Sequence, residues 1–445
     1  MLSCLTQPLE TRQDALRFFD SYAIESRRPE GQRPTRVGRL VRMRRLLALL
    51  GDPQNRLKVI HVAGTSGKGS TCTFIEAIIR AHGYTTGLTL SPHAVDLRER
   101  FQINGAYLTD DLLTTIVKRV ISVITRMEKE PCGAPGYMEC LMATAYAVFA
   151  EVGVHYAVVE TGVGGRTDPS NTVMRGDKLC VFTKIGKDHM AALGNRLEDI
   201  AYQKIGIVQE GNDVVIGVQA EYPQADMVLL AQTAGANTVL CIDPLSVSQP
   251  SLTQTTPYLR ENAELALTAC RQLAARDGWM FDGVRAEAAL RQVSVPLRFE
   301  LVHWQGKTFI LDAAHNPQKM EALVEALRVR FPRHALAGVI AVNPDTDVAE
   351  TIGPFLSMVS RLACADLVVG RGSYTFRFSD PEQVMSVLRK HNEGCVALQE
   401  GEVLRDREAL LNWCARIPES MIVCTGSFHF VAVVRALLLG LSEPW

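Results

Sequence analysis

Residues 57–71 read LKVIHVAGTSGKGST, and this stretch decides the fold. Residues 57–63 form a short apolar run of the kind that makes a buried strand. The glycine-rich turn Gly64-Thr65-Ser66-Gly67-Lys68-Gly69-Ser70-Thr71 follows, and the pattern predicts a helix running on through Ile79. Glycines let the backbone wrap closely, so successive N–H groups and a helix N-terminus can face an anionic phosphate. Lys68 would reach terminal phosphates, and the Ser70 or Thr71 hydroxyl would serve phosphate or Mg²⁺. The spacing departs from the strict G-x-x-x-x-G-K-[ST] pattern, because Gly69 stands between Lys68 and Ser70.

Working outward, strand-like runs alternate with amphipathic helical stretches, the pattern of a parallel sheet flanked by helices. Strands are expected at 156–161, 179–185, 213–218 and 237–242, and helices at 138–151 and 198–207. A break falls near 293–296, after a helix over 283–292. Beyond it, 299–304 and 307–312 flank Gln305-Gly306 as a hairpin. A strand at 336–342, a strand at 421–424 and a last helix to about Leu439 complete the series. The expectation is an α/β protein with a large P-loop-type ATPase domain, residues 1–295, built on a central mostly parallel sheet. A smaller Rossmann-like α/β domain, residues 296–445, would follow.

With 445 residues, 47% hydrophobic and 21% charged, the chain has the make-up of an ordinary globular protein. The formal net charge of −1 removes any bulk electrostatic case for nucleic acid or an anionic membrane. Arg27, Arg28, Arg33, Arg36, Arg39, Arg42, Arg44 and Arg45 crowd one stretch, without interleaved aromatics, and read as solvated helix and loop surface. Eleven cysteines lack a CxxC pair or zinc-type spacing, which points to reduced thiols. Residues 1–19 carry Glu10 and Asp14 and do not resemble a secretory signal. No run approaches the roughly 20 apolar residues of a membrane span. A cytoplasmic enzyme is the default expectation.

Further motifs follow in order. Ser91-Pro92-His93, Arg98-Glu99-Arg100 and Ile103-Asn104-Gly105 come first, then Glu160-Thr161-Gly162-Val163-Gly164-Gly165-Arg166 with Asp168 and Asn171. Ile185-Gly186, Asp188-His189, Leu193-Gly194 and the run AYQKIGI over 201–207 come next, then Asp312-Ala313-Ala314-His315-Asn316-Pro317 and Thr425-Gly426-Ser427. With GTSGKGST, these collinear blocks resemble the folylpolyglutamate synthase and dihydrofolate synthase branch of the Mur ligase superfamily. The resemblance implies an ADP-forming carboxylate–amine ligase that works through an acyl phosphate. Its substrates would be ATP, a folate-type carboxylate and L-glutamate. It implies Mg²⁺, as two ions: Ser91 and Glu160, with Ser70, at one, and His189 at a second shared through Glu160. Lys204 would be carbamylated and support the second ion. Asn262 would lie near adenine, Arg298 would reach nucleotide phosphate, and Asp312 and His315 would contact ATP from the small domain. Many relatives act as monomers, so a monomer is expected.

Several positions depart from that pattern. Ser66 replaces the usual asparagine of the loop, Tyr258-Leu259 replaces His-Gln, and Met138 replaces a common Phe. Lys184 and Lys187 are additional cations that could receive an anionic substrate or lie on a solvated face. These departures leave the acceptor open: dihydropteroate, a folate to be extended, or an unrelated carboxylate. A binding module without catalysis and a P-loop kinase or ATPase are the rival classes. Retained Lys68, Glu160, His189 and Lys204 speak against the first, and the loop spacing against the second.

Overall fold

The computed structural model describes residues 9–25, 36–243, 256–367, 369–371, 374–399 and 401–441. They fall into two compact units. One holds most of the chain up to Val293, and the other holds the chain from Ser294 together with Ala94–Asp96 and a segment ending at Tyr258.

The first unit is built on a seven-stranded sheet. Its strands are β1 (Lys58–Ala63), β2 (Thr86–Thr89), β3 (Gln102–Ile103), β4 (Tyr156–Glu160), β5 (Leu179–Phe182), β6 (Asp213–Ile216) and β7 (Thr238–Cys241), in the order β3-β2-β4-β1-β5-β6-β7. All neighbours are parallel except β2 and β3. The central strands β1, β4 and β5 are buried almost throughout, as a parallel sheet covered on both faces requires. Because β1 sits between β4 and β5, the strand order reverses beside it. Such a reversal, at the carboxyl ends of the strands, is where α/β sheets bind ligands.

One core cluster joins the helices Arg12–Glu25, Arg36–Leu49, Asp110–Met127 and Tyr137–Val152 to one face of the sheet. A second cluster lies under Leu197–Ile205 and Gln224–Thr233. The expectation that the arginine-rich stretch is all solvated surface is corrected here. Arg42 is buried and donates twice to Glu139, at 3.1 and 2.8 Å, while exposed Arg45 donates twice to Glu130. Arg42 lies on the face of its helix that carries Met43, Leu46 and Leu47 inward, so its charge had to be matched. Arg27, Arg28 and Arg33 lie outside the described residues, as does the side chain of Arg36.

The second unit carries a six-stranded sheet. Its strands are β8 (Glu300–Trp304), β9 (Lys307–Leu311), β10 (Leu336–Ile340), β11 (Arg361–Ala365), β14 (Glu402–Leu404) and β15 (Met421–Thr425), ordered β14-β11-β10-β15-β9-β8. It is parallel except for the β8–β9 hairpin, which turns at Gln305-Gly306, both with positive φ. A separate antiparallel pair joins β12 (Val369–Arg371) to β13 (Tyr374–Phe376). The fold is thus α/β in both units, as the alternation predicts. Strand β5 is shorter than expected because the chain leaves the sheet after Phe182 to meet the phosphate loop, where the Lys184 carbonyl accepts the Thr65 N–H.

Candidate active site

Four strand ends of the first unit supply the site. The loop after β1 turns through Gly64 (φ 152°) and Gly67 (φ 90°), both in the region that favours glycine, and opens the helix Lys68–Ala81. A Cβ on Gly67 would collide with the Asn262 amide, and one on Gly64 with Thr183. These glycines are therefore required by close approach as well as by backbone angle. Thr65 fastens the loop to the end of β5: its hydroxyl donates to the Gly186 carbonyl at 2.9 Å and accepts the Gly186 N–H at 3.1 Å. The Lys68 ammonium curls back over the loop, 3.1 Å from Gly64 O and 3.4 Å from Thr65 O.

Glu160 closes β4, next to β1 in the sheet. It is buried, it accepts the Ser91 N–H at 2.7 Å, and its Oε2 lies 3.4 Å from where a Gly69 Cβ would stand. A carboxylate thus faces the first turn of the phosphate-loop helix. Burial pushes the nearby Cys72 thiol well up, with Glu160 adding to the shift and Lys68 opposing it. Cys72 therefore stays a protonated thiol beneath the loop. The Ser91 hydroxyl is 3.4 Å from Arg100 Nη1, and Arg100 Nε donates to His93 Nδ1 at 2.9 Å.

Lys204 comes from the last turn of Leu197–Ile205 and is buried, with its Nζ 2.6 Å from Gly64 O. That helix is bound to the loop after β4: Arg166 N donates to Gln203 O at 2.7 Å, and Asn171 Nδ2 to Gly206 O at 2.9 Å. Asp168 shapes the same loop from within, accepting from Val163 N, Ser170 N and Ser170 Oγ. Ser170 Oγ and Thr161 Oγ1 both contact Nε2 of buried His61, at 2.9 and 3.0 Å. Burial, with the Lys178 charge adding to it, holds that imidazole well below its usual range and so keeps it neutral. Lys178 is fully buried and spans Val173 O and Ile207 O, at 3.1 and 2.7 Å. Thr161 and Asp168 fall in the motif read over 160–171, whereas His61, Ser170 and Lys178 carry no local signal that marks them.

The structure therefore brings together Gly64 to Thr71, Ser91, Glu160, Lys204 and Asn262. His189 stands apart from them in character: it is exposed, has φ 50° and N-caps the short helix Met190–Leu193, with its ring 3.8 Å from Asp188. Lys184 is ion-paired to Glu261 at 2.6 Å, a partner that lies 77 residues further along the chain. In the second unit, Asp312 is buried at the carboxyl end of β9. Its carboxylate accepts from Tyr258 Oη at 2.6 Å, Phe299 N at 3.0 Å and Ala314 N at 3.0 Å. Burial raises its pKa, against the pull of Arg298 and the Tyr258 hydrogen bond. Arg298 donates to Leu297 O between two positive-φ residues, Leu297 and Phe299. His315 Nδ1 faces Ala313 O at 2.8 Å and Nε2 faces Lys319 Nζ at 3.0 Å.

The donor set fits a phosphate chain with a hard cation. Ser70 Oγ and Thr71 Oγ1 are buried at the helix N-terminus and have no hydrogen-bond partner among the described residues, an arrangement that a phosphate oxygen or cation would satisfy. Among the described residues, no three His, Cys, Asp or Glu side chains group to hold a metal ion. Mg²⁺ takes one or two protein oxygens and fills its octahedron with phosphate and water, so Glu160 and the serine hydroxyls are a sufficient set.

Comparison with known proteins agrees with this geometry. Residues 297–428 match the Mur ligase, glutamate ligase domain family. The chain is 28% identical over 422 residues to the dihydrofolate synthase/folylpolyglutamate synthase of Bacillus subtilis, covering 90% of this chain and 94% of that protein. It is 32% identical to the mitochondrial folylpolyglutamate synthase of Bos taurus, covering 74% of this chain and 62% of that protein. Its structure resembles Mycobacterium tuberculosis folylpolyglutamate synthase complexed with ADP, with a TM-score of 0.82 and 25% identity, covering 97% of this chain and 100% of that one. It also resembles the bifunctional Yersinia pestis enzyme complexed with AMPPNP and Mn ion, with a TM-score of 0.78 and 25% identity, covering 98% and 99%.

Proposed function

Because this chain belongs to the folylpolyglutamate synthase and dihydrofolate synthase branch of the Mur ligase superfamily, we propose that it joins L-glutamate to a folate-type carboxylate at the expense of ATP. The observation that carries the proposal is buried Glu160 facing Gly69 of a glycine-rich loop whose next two residues, Ser70 and Thr71, have buried hydroxyls without a partner among the described residues. That set suits the phosphate tail of a nucleotide and a hard cation better than it suits a structural turn, where buried hydroxyls find partners.

The acceptor carboxylate attacks the γ-phosphorus of ATP, forming an acyl phosphate and releasing ADP. The glutamate amine, having lost its proton, then attacks the acyl carbon; the C–N bond forms, the C–O bond breaks and phosphate leaves. The loop N–H groups and Lys68 would hold the phosphates in line. Ser70, Ser91, Glu160, His189 and a carbamate on Lys204 are the groups we assign to two Mg²⁺ ions. Bound there, Mg²⁺ would offset the repulsion between the ATP tail and the incoming carboxylate. A carbamate on Lys204 would retain one N–H and so could keep the bond to Gly64 O that the lysine makes. Nucleotide roles for Asn262, Arg298, Asp312 and His315 belong to the same proposal, with a monomeric cytoplasmic enzyme and no nucleic-acid or membrane partner. Among the described residues, no helix is long and apolar enough to cross a membrane.

The test is ADP formation by purified protein in Mg²⁺ with reduced folates, dihydropteroate and unrelated carboxylates, each with and without L-glutamate. ADP that appears only when acceptor and amino acid are both present supports the ligase. ADP formed equally well without either would favour a simple ATPase.

A further inference from the structure

The phosphate loop is bound to a second element by a residue that the ligation chemistry leaves unused. Lys184 follows β5. Its carbonyl accepts the Thr65 N–H at 2.8 Å, its backbone forms an antiparallel bridge with Ser66, and its ammonium pairs with Glu261 at 2.6 Å. Glu261 immediately precedes Asn262 in the helix Pro257–Asp277, and the Asn262 amide lies directly against the Cα of Gly67. Lys184 thus grips the loop with its backbone and the helix with its side chain.

We propose that the Lys184–Glu261 ion pair is a positioning latch that sets Asn262 against Gly67 and thereby tunes nucleotide affinity. The inference rests on reading this loop as the nucleotide site. The helix that carries Asn262 is also tied further along, by Gln272 to Asp213 and by Asp277 to Lys58, both at 3.0 Å, and the Lys184–Glu261 pair acts at the residue next to Asn262. With side chains 29% and 27% exposed, the pair is partly solvated. Its coupling should therefore be modest, about two- to fivefold in an equilibrium constant. An effect of that size adjusts affinity and leaves the fold intact.

The experiment is calorimetric titration of ADP with Mg²⁺, and separately of pyrophosphate, into the full chain and its Lys184→Met, Glu261→Gln and doubly substituted forms. Lys184→Met is also made in an Asn262→Ala background. Each single change should weaken ADP by about two- to fivefold, and the double change should lose no more than either single one. Lys184→Met should have no further effect once Asn262 is gone, and the Lys184 and Glu261 changes should leave pyrophosphate affinity unchanged. Unchanged ADP affinity, additive losses in the double variant, a full Lys184→Met loss without Asn262, or an equal loss of pyrophosphate would each overturn the latch. If the unsubstituted protein bound neither ligand, the nucleotide-site reading would fail and the latch with it. That result is distinct from one in which the unsubstituted protein binds ADP and the variants bind it equally well.

Discussion

Replacing Glu160 by Gln separates the chemistry of the site from its architecture. The side chain is 5% exposed and accepts the Ser91 N–H at 2.7 Å, and an amide oxygen of the same shape can still accept that bond. A charge-assisted hydrogen bond becomes a neutral one, a stability change of about 1 kcal/mol. The catalytic cost is larger, because the Mg²⁺ proposed to sit between Glu160 and the phosphates loses its anionic protein ligand. Removal of one such preorganised electrostatic group typically lowers kcat by about 10²- to 10³-fold, or roughly 2.7–4 kcal/mol. The assay is phosphate release as a function of Mg²⁺ concentration, with urea denaturation of both proteins alongside. Glu160→Gln should unfold close to the unsubstituted midpoint yet turn over slowly, with half-saturation displaced to higher Mg²⁺. A folded variant with an unchanged Mg²⁺ titration and unchanged kcat would refute the assignment of Glu160 to the metal.

Lys204→Ala should lower ligation by about 10²- to 10³-fold while ADP binding persists; the companion measurement is a ¹³C carbamate signal after exposure to labelled bicarbonate, and full activity would end the carbamate role. Arg42→Met strands buried Glu139, which keeps the Gly136 N–H at 2.6 Å, and should cost about 3–5 kcal/mol in urea unfolding. A loss below about 1 kcal/mol would show that the buried pair is not held as described. Asp177→Asn tests a pH linkage: hydrogen bonds from Arg175, at 2.7 and 2.6 Å, hold the Asp177 carboxyl below its usual range. Its folded pKa is depressed, so the stability it adds is present above the unfolded value near 3.9 and is lost as pH falls through the folded value. The advantage over Asp177→Asn should be level above about pH 5 and shrink below about pH 4, and being partly solvated it should stay under about 1 kcal/mol.

The central strand and the phosphate loop were legible because both are local: a seven-residue apolar run meets a glycine turn, and each signal lies within one window. The hairpin at Gln305-Gly306 was legible for the same reason. Strands β2 and β3 were not, since Thr86–Thr89 is four residues of mixed character and Gln102–Ile103 only two, too short for a period to register. Arg42 misled because its neighbours Arg44 and Arg45 are exposed, while its partner Glu139 lies 97 residues away. The Lys184–Glu261 pair was hidden likewise: a lysine beside a phosphate loop looks free until the helix that carries its partner is folded against it. Glu160, Lys204 and Asn262 lie in separate motifs of the sequence, and only the fold shows why they converge. Each reaches a different residue of the loop: Glu160 faces Gly69, Lys204 bonds Gly64 and Asn262 covers Gly67.

The most direct measurement is the mass of the acceptor after incubation with ATP, Mg²⁺ and L-glutamate. The account predicts that dihydropteroate or a reduced folate gains one glutamyl unit for each ADP formed, with no gain when ATP is omitted. ADP accumulating in the presence of both substrates while every acceptor keeps its original mass would contradict it.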